Sequence, residues 1–529
     1  MTVTARRLTD GAVIAGLMAA SAALSLATIA NRPETTSTAF LFQDEGLNLV
    51  VADTLLSGGS LYRDVAYLYG PIPAYLHAGF AAVFGNTPIA YVRLLVLISC
   101  LDVGLAYALL RRAAGVPIAT AMTVGGIFTL ALIPGSIVGG LTSSIYVPLE
   151  RTVLLLLALA WEPPVARHVG RSLLIGSILG MWQGVRFGAA VVAGGSILLI
   201  DATYLAASGI SQSILRGWAR SLGAIAAGFV GLQLMWIVCA FSTLPREMAW
   251  DTVWPVYLLR SYSSWVTPEI RWLQWLGWRF MIAQYLVPLT AAVLGLVGLA
   301  GWVIAVRRDA NPGLPGGVAS AGAIFIPLCF FGIGCFGYFR TVFHFRQFMW
   351  ALIPAAAWQL QRRGAALRIA TAVLWAPGTA TMFRHALLSA AIAPPMVTVS
   401  LPSGGTIAAS PPLAKRVEFL QKFISTETAG APVMYLAGAG GWYGAYKIPH
   451  ATRHVWFEGF DVIRPYEEQA FLESLNRTAA LIACDRIDKP WPSADGLPVL
   501  PFPPPIADAI RQRLVFWTSE AGCRVYRIR

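Results

Sequence analysis

The chain has 529 residues, 57% hydrophobic and 12% charged, with a mean hydropathy of +0.63. A soluble globular domain carries about 25% charged residues, so an ordinary soluble domain is excluded. The net charge of +13 lies mostly in arginine pairs between apolar runs. No aromatic-interleaved basic stretch accompanies them, so the excess reflects membrane topology and not nucleic-acid binding.

Apolar runs of around 20 residues are long enough to cross a bilayer, and they lack the alternation of a transmembrane barrel. Every Lys or Arg before residue 395 is an arginine, and the first lysine is Lys415. Arg6 and Arg7, Arg111 and Arg112, Arg167 and Arg171, Arg216 and Arg220, Arg307 and Arg308, and Arg362 and Arg363 flank the runs. Cytoplasmic loops carry this excess. With those pairs inside, spans are expected at 11–30, 88–110, 117–140, 147–161, 172–185, 187–206, 221–241, 281–306, 318–337, 347–360 and 366–390. The expectation is a mainly α, polytopic transmembrane helical bundle of about 11 spans over residues 1–394. Its N-terminus is cytoplasmic, and its location is the cell (inner) membrane. The first run has the flanks of a signal peptide, but the alternation of arginine pairs favours its retention.

From about residue 395 the composition changes, and no later run is long enough to span. "RVEFLQKFIS" and "PYEEQAFLESLNR" have helical spacing, whereas "APVMYLAG", "TAALIACD" and "CRVYRIR" read as strands. Residues 395–529 are therefore expected to form a small external (periplasmic) α/β domain, with "LPVLPFPPP" as a loop. Six cysteines without CxxC spacing do not suggest a metal cluster. Cys484 and Cys523 flank two strands of the external domain, where an oxidising compartment allows either a disulfide or two free thiols.

Charge is rare here, so its exceptions stand out. Asp44 and Glu45 follow the first span in "FQDEGLNLVVADTLLSGGSLYRDVAYLYGP". A carboxylate at the membrane surface can accept a proton from an attacking hydroxyl; the plain alternative is a solvated loop. Arg186, Arg340 and Arg346, with His344, are expected at external ends of spans. Arginine binds two phosphate oxygens together, and charges beside spans are costly and usually functional; the alternative is snorkelling to headgroups. Glu150 follows "SSIYVPL" and either contributes to the same site or pairs with Arg151. Trp250, Trp254, Trp265, Trp272, Trp275 and Trp278 crowd the 242–279 loop, as an interfacial belt or as a lid over lipid and sugar.

"GGSLYRDVAYLYGPIPAYLHAGFAAVFG" resembles the first external loop of the GT-C membrane glycosyltransferases, which include protein O-mannosyltransferases and lipid A aminoarabinose transferases. The pattern is carried by Asp44, Gly59, Tyr62, Arg63, Asp64, Tyr69, Gly70, Pro71, Phe84 and Gly85. The turn at Arg186, "HFRQFMWALIPAAAW" and the closing "GCRVYRIR" are similar to later parts of such chains. The resemblance implies an inverting transferase that takes sugar from a polyprenyl-phosphate donor at the external face. Its acceptor would be a glycan, lipid or protein. Asp44, or its neighbour Glu45, would be the base. Arg63, Asp64, Tyr69, Glu150, Arg186, Arg340, His344 and Arg346 would contact substrate. No cofactor is implied with certainty, and a divalent metal is left open.

Two other classes compete. A transporter or flippase of lipid-linked or other anionic substrates would show inverted repeats and broken, charged helices near midplane; no repeat is visible. A non-catalytic scaffold with an external sensor would not need Asp44.

Overall fold

The computed structural model describes residues 3–31, 44–113, 145–208, 211–253, 396–436, 443–455, 463–484 and 504–529, together with a few positions between 116 and 123 and apart from short gaps within those ranges. Helices come first: α1 (Val3–Asn31), α2 (Asp44–Leu56), α3 (Pro71–Phe84), α4 (Pro88–Ala113), α5 (Tyr146–Ala160), α6 (Val169–Val185), α7 (Ala189–Ser208), α8 (Gln212–Thr243) and α9 (Arg246–Val253). Apart from α2, α3 and α9, these coincide with apolar runs of the sequence. The four runs from 281 to 390 and most of 117–140 lie outside the described residues, as does the tryptophan loop beyond Val253. The stretch after the first span is not an open loop. Its first half is α2, which buries Leu47, Val50 and Val51.

Among the described residues two helices are long and apolar enough to cross a membrane, Pro88–Arg111 and Gln212–Thr243. The first is mostly enclosed by its neighbours. The second turns Leu234, Met235 and Val238 outward at 53%, 62% and 65% exposure. An apolar face of that length in water would be an association patch; against hydrocarbon it is a lipid-facing surface. Such a face agrees with the membrane location that the apolar composition implies.

The helices approach closely through small residues. Gly176, Gly180 and Gly184 recur every four residues along one side of α6. A β-carbon on Gly176 would strike the Ile225 backbone of α8, and one on Gly228 of α8 would strike the Leu173 backbone. Without a hydrophobic drive between helices in lipid, such close packing replaces it. Charges inside the bundle are paired. Asp102 of α4 accepts from Arg151 and Thr152 of α5. At another level Asp201 accepts two bonds from Arg167, at 2.7 and 2.8 Å, and one each from the Trp161 and Trp218 indoles. A desolvated ion pair persists only when extra hydrogen bonds occupy its remaining groups, and Asp201 meets that requirement in full.

Strands among the described residues all follow residue 396. A hairpin of β1 (Val397–Ser400) and β2 (Thr406–Ala409) leads into α10 (Pro411–Thr426). A four-stranded sheet then forms from β3 (Val433–Tyr435), β4 (Ala480–Cys484), β5 (Leu514–Glu520) and β6 (Cys523–Ile528), in the order β3-β4-β6-β5. Only the β3–β4 pair is parallel. Helices α11 (Glu468–Leu475) and α12 (Pro504–Arg511) complete the unit. The strand period of two divides the sheet's side chains. Val433, Tyr435, Ile482 and Val525 join a cluster that runs through α10 to Leu47 and Val51 of α2. Met434, Leu481, Ala483 and Tyr526 pack on α11 and α12. Cys484 and Cys523 are register partners on β4 and β6 and form a disulfide. The proline-rich stretch is not loop to its end: Pro504 and Pro505 open α12, where a missing N–H costs nothing.

The sheet unit is tied to the helices by charge as well as by apolar packing. Lys447 pairs with Asp53 of α2, and Arg464 with Asp251 of α9 at 2.7 Å. Arg453 pairs with Glu467, and His454 Nε2 lies 3.4 Å from the same carboxylate. Burial alone would raise the pKa of Glu467, but the nearby His454 and the hydrogen bond from Arg453 outweigh it and hold the carboxyl well below the usual range. A depressed carboxylate contributes stability that is present above its unfolded pKa of about 4.3 and is lost as pH falls through its folded value. Glu467→Gln is therefore expected to flatten the pH dependence of thermal unfolding below about pH 4. Equal slopes for the two proteins would remove Glu467 as a source of acid sensitivity.

Candidate active site

One end of the bundle collects the N-termini of α4 and α5 and the C-terminus of α6, and the 57–70 loop folds back over it. The loop is built to make that return. Tyr62 takes a left-handed φ of 68°, rare for a residue with a side chain. Its hydroxyl donates to the Tyr69 carbonyl at 2.7 Å, within the same loop. The Gly70 N–H then donates to the Val185 carbonyl at 3.2 Å, at the end of α6. Gly70 lies so close to the Gly184 backbone that a β-carbon there would overlap it, so no other residue keeps this approach. Pro71 and Pro73 next start α3, whose first turn needs no amide donors.

This return brings the charges together. Glu150, in the second turn of α5, is 2% exposed. Its carboxylate lies 3.5 Å from Arg186, the residue that ends α6, and accepts weakly from the Trp182 indole at 3.4 Å. Arg186 is about a quarter exposed and also faces the ring of Tyr146, 5.7 Å from its centroid. Tyr146 in turn stacks on Tyr69 at 4.1 Å. Arg186 is thus held by a carboxylate on one side and an aromatic platform on the other, with part of its surface open.

A buried polar chain fixes α2 to the same place. Asn48, 1% exposed, donates to the Tyr91 hydroxyl at 3.1 Å and accepts from Tyr67 at 3.0 Å. Tyr91 accepts the Ile145 N–H at 2.9 Å, just before α5 begins. His77 of α3 bonds the Asn48 carbonyl at 3.0 Å. Asp44 and Glu45 open α2, and Asp44 stands one helical turn before Asn48. The start of α2 is therefore anchored beside the start of α5.

Of the residues singled out in the sequence, Tyr69, Glu150 and Arg186 come together. The possible partner Arg151 does not take Glu150; it turns to Asp102. Arg63 and Asp64 pair with each other at 3.0 Å on the exposed side of the loop. The hydrogen bond from Arg63 lowers the Asp64 pKa, helped by the Ser60 amide, so this pair shapes the turn. Arg340, His344 and Arg346 lie outside the described residues. Sequence reasoning missed Asn48, Tyr91, Tyr146 and Trp182, which are uncharged and carry no spacing motif. Among the described residues no group of three His, Cys, Asp or Glu is placed to hold a metal ion.

No protein-family model matches the chain, and no curated protein does. Among solved structures it is similar to ArnT from Cupriavidus metallidurans bound to undecaprenyl phosphate. The TM-score is 0.48 and the identity 11%, over 99% of this chain and 98% of that one. The Archaeoglobus fulgidus oligosaccharyltransferase complex with Zn and sulfate gives 0.44 and 12%, over 88% and 68%. The archaeal oligosaccharyltransferase AglB from Archaeoglobus fulgidus, in complex with an inhibitory peptide and a dolichol-phosphate, gives 0.44 and 12%, over 98% and 74%. These are GT-C glycosyltransferases. At this level of likeness, the function of this chain has to be argued from its own residues.

Removing Arg186 would leave the Glu150 carboxylate buried with one weak donor. Arg186→Ala is expected to destabilise the protein by about 1–3 kcal/mol, the cost of an unsatisfied buried group. Adding Glu150→Gln should recover most of that loss. Chemical denaturation of the purified variants measures both. A double variant as unstable as Arg186→Ala alone would show that the two groups are not coupled.

Proposed function

We propose that the protein is a membrane glycosyltransferase that moves a sugar from a polyprenyl-phosphate carrier to an acceptor at the external face. The observation that carries this reading is the setting of Arg186, at a bundle end against buried Glu150 and the Tyr146–Tyr69 stack. A guanidinium so oriented suits a phosphate, which accepts two parallel N–H bonds. The same group would stabilise the charge that grows on the leaving polyprenyl phosphate. The tyrosine pair offers the apolar faces on which a sugar ring or the first isoprene units can rest. Lipid-facing α8 gives the polyprenyl chain access from the bilayer.

The acceptor needs a base, and Asp44 is assigned that role. It opens a helix whose next turn is locked to the start of α5 through Asn48 and Tyr91. Glu45 is the alternative, since neighbours on a helix point about 100° apart and only one of two such residues can face a site. Glu150 serves as the orienting partner of Arg186. Loss of the C1–O bond to the phosphate and attack by the acceptor oxygen on the opposite face would invert the sugar. The metal requirement and the acceptor, whether glycan, lipid or protein, are not part of this assignment. The flippase reading has less support, because no internal repeat is visible in the sequence and the buried Asp102 is paired with Arg151.

Asp44→Asn keeps the shape and removes the base. It is expected to leave donor binding nearly unchanged while lowering turnover by about 100-fold or more, with a smaller effect for Glu45→Asn. The assay is transfer from a panel of radiolabelled polyprenyl-phosphate sugars by the purified protein. Wild-type turnover in Asp44→Asn with an inactive Glu45→Asn would move the base by one residue. Wild-type turnover in both variants would end the assignment of a base to α2.

A further inference from the structure

Among the described residues, Arg453 of the sheet unit makes hydrogen bonds to the loop that covers the candidate site. Arg453 donates through Nη1 to the Tyr62 carbonyl at 2.7 Å, and its own carbonyl accepts the Ala66 N–H at 2.7 Å. It therefore grips both ends of the turn that carries the left-handed Tyr62. Another contact runs backwards into the unit, where Nε donates to Glu467. The Glu467 carboxylate also accepts the Arg464 N–H at 3.1 Å and so belongs to the first turn of the short helical segment 465–475. Arg453 is 14% exposed and Glu467 9%, so both are shielded from competing water.

We propose that Arg453 is a positioning residue for the active site, fixing the Tyr62 turn so that Tyr69 and Gly70 hold Tyr146 and Arg186 in their working geometry. The linkage is continuous. Arg453 holds Tyr62, the Tyr62 hydroxyl holds the Tyr69 carbonyl, Tyr69 stacks on Tyr146, and the Gly70 amide closes on Val185 beside Arg186. A left-handed conformation is unfavourable for a residue with a side chain, and Arg453 restrains the turn at two points. The nearby Lys447–Asp53 bridge joins the same two parts of the protein but touches neither the turn nor the site. It supplies an internal control for docking as such. This inference rests on the proposed glycosyl transfer for its effect on rate, but its geometric half does not.

The experiment compares wild type, Arg453→Ala, Arg453→Lys and Lys447→Ala as purified full chains, by amide hydrogen exchange and by sugar transfer per folded molecule. Arg453→Ala is expected to speed exchange in peptides covering 60–71 and 183–187 and to lower turnover by about 10–100-fold, the usual cost of a small misplacement. Arg453→Lys, which retains one donor group for two partners, should fall between. Lys447→Ala should match wild type in turnover. Should Arg453→Ala not fold, Arg453→Lys carries the same comparison. Unchanged exchange at 60–71 and 183–187 would overturn the proposal, as would faster exchange with wild-type turnover. Equal losses in Lys447→Ala would also overturn it, since docking alone would then explain the effect. If wild type transfers none of the donors, the proposed function fails instead, and the exchange data alone decide whether Arg453 holds the turn.

Discussion

Gly70 meets Gly184 backbone to backbone, and the arrangement of the candidate site depends on that contact. It turns the first long connection of the chain back over the bundle end, and it brings Tyr69 within stacking distance of Tyr146. Glycine is required at position 70 because a β-carbon there would overlap the Gly184 backbone. Everything placed nearby follows from it: the aromatic support of Arg186, the start of α3 at Pro71, and the path of the loop towards the sheet unit. A bundle that packs in lipid through small residues thus uses the same device to seat a loop.

Charge inside this protein falls into two kinds. Asp201 and Asp102 are buried acceptors met by arginine and by further donors, and their surroundings ask for nothing more from outside on the carboxylate side. Arg186 differs. Its partner Glu150 is enclosed, its aromatic neighbour covers one face, and part of the guanidinium stays open. In an apolar bundle the cost of desolvating a cation is high, and a guanidinium held at a bundle end beside a buried carboxylate is suited to an anionic ligand. An anionic lipid-linked donor fits, because its phosphate lies at the depth where a span ends.

Of the described helices, the longer ones were legible in the sequence because uninterrupted apolar runs with arginine pairs between them leave few other readings, whereas α2, α3 and α9 lie outside those runs. The strands β3, β4 and β6 were legible for a similar reason, being short apolar segments flanked by turn residues. β5 was not, since "LVFWTSE" at the sheet edge lacks a clean alternation, and α12 was hidden behind prolines that serve as its first turn. For the site, Glu150 and Arg186 stood out as charges in apolar surroundings, but their pairing across the chain did not. Arg151 is the neighbour that sequence suggests, yet adjacent helical residues diverge by about 100°, which sends it to Asp102. Asn48, Tyr91, Tyr146 and Trp182 were invisible because tyrosine and tryptophan at span ends ordinarily mark the membrane interface. Only the fold tells an interfacial tyrosine from one that stacks under an arginine.

The central claim is that the bundle end around Arg186 receives the phosphate of a polyprenyl carrier. Photolabelling tests it most directly, using a polyprenyl phosphate that bears a photoreactive group on its first isoprene unit, followed by peptide mapping of the purified protein. The account predicts labels within 60–71, 146–150 and 183–187, suppressed by unlabelled polyprenyl phosphate. Labels confined to the outward face of α8, or labels at the bundle end that unlabelled carrier does not suppress, would contradict it.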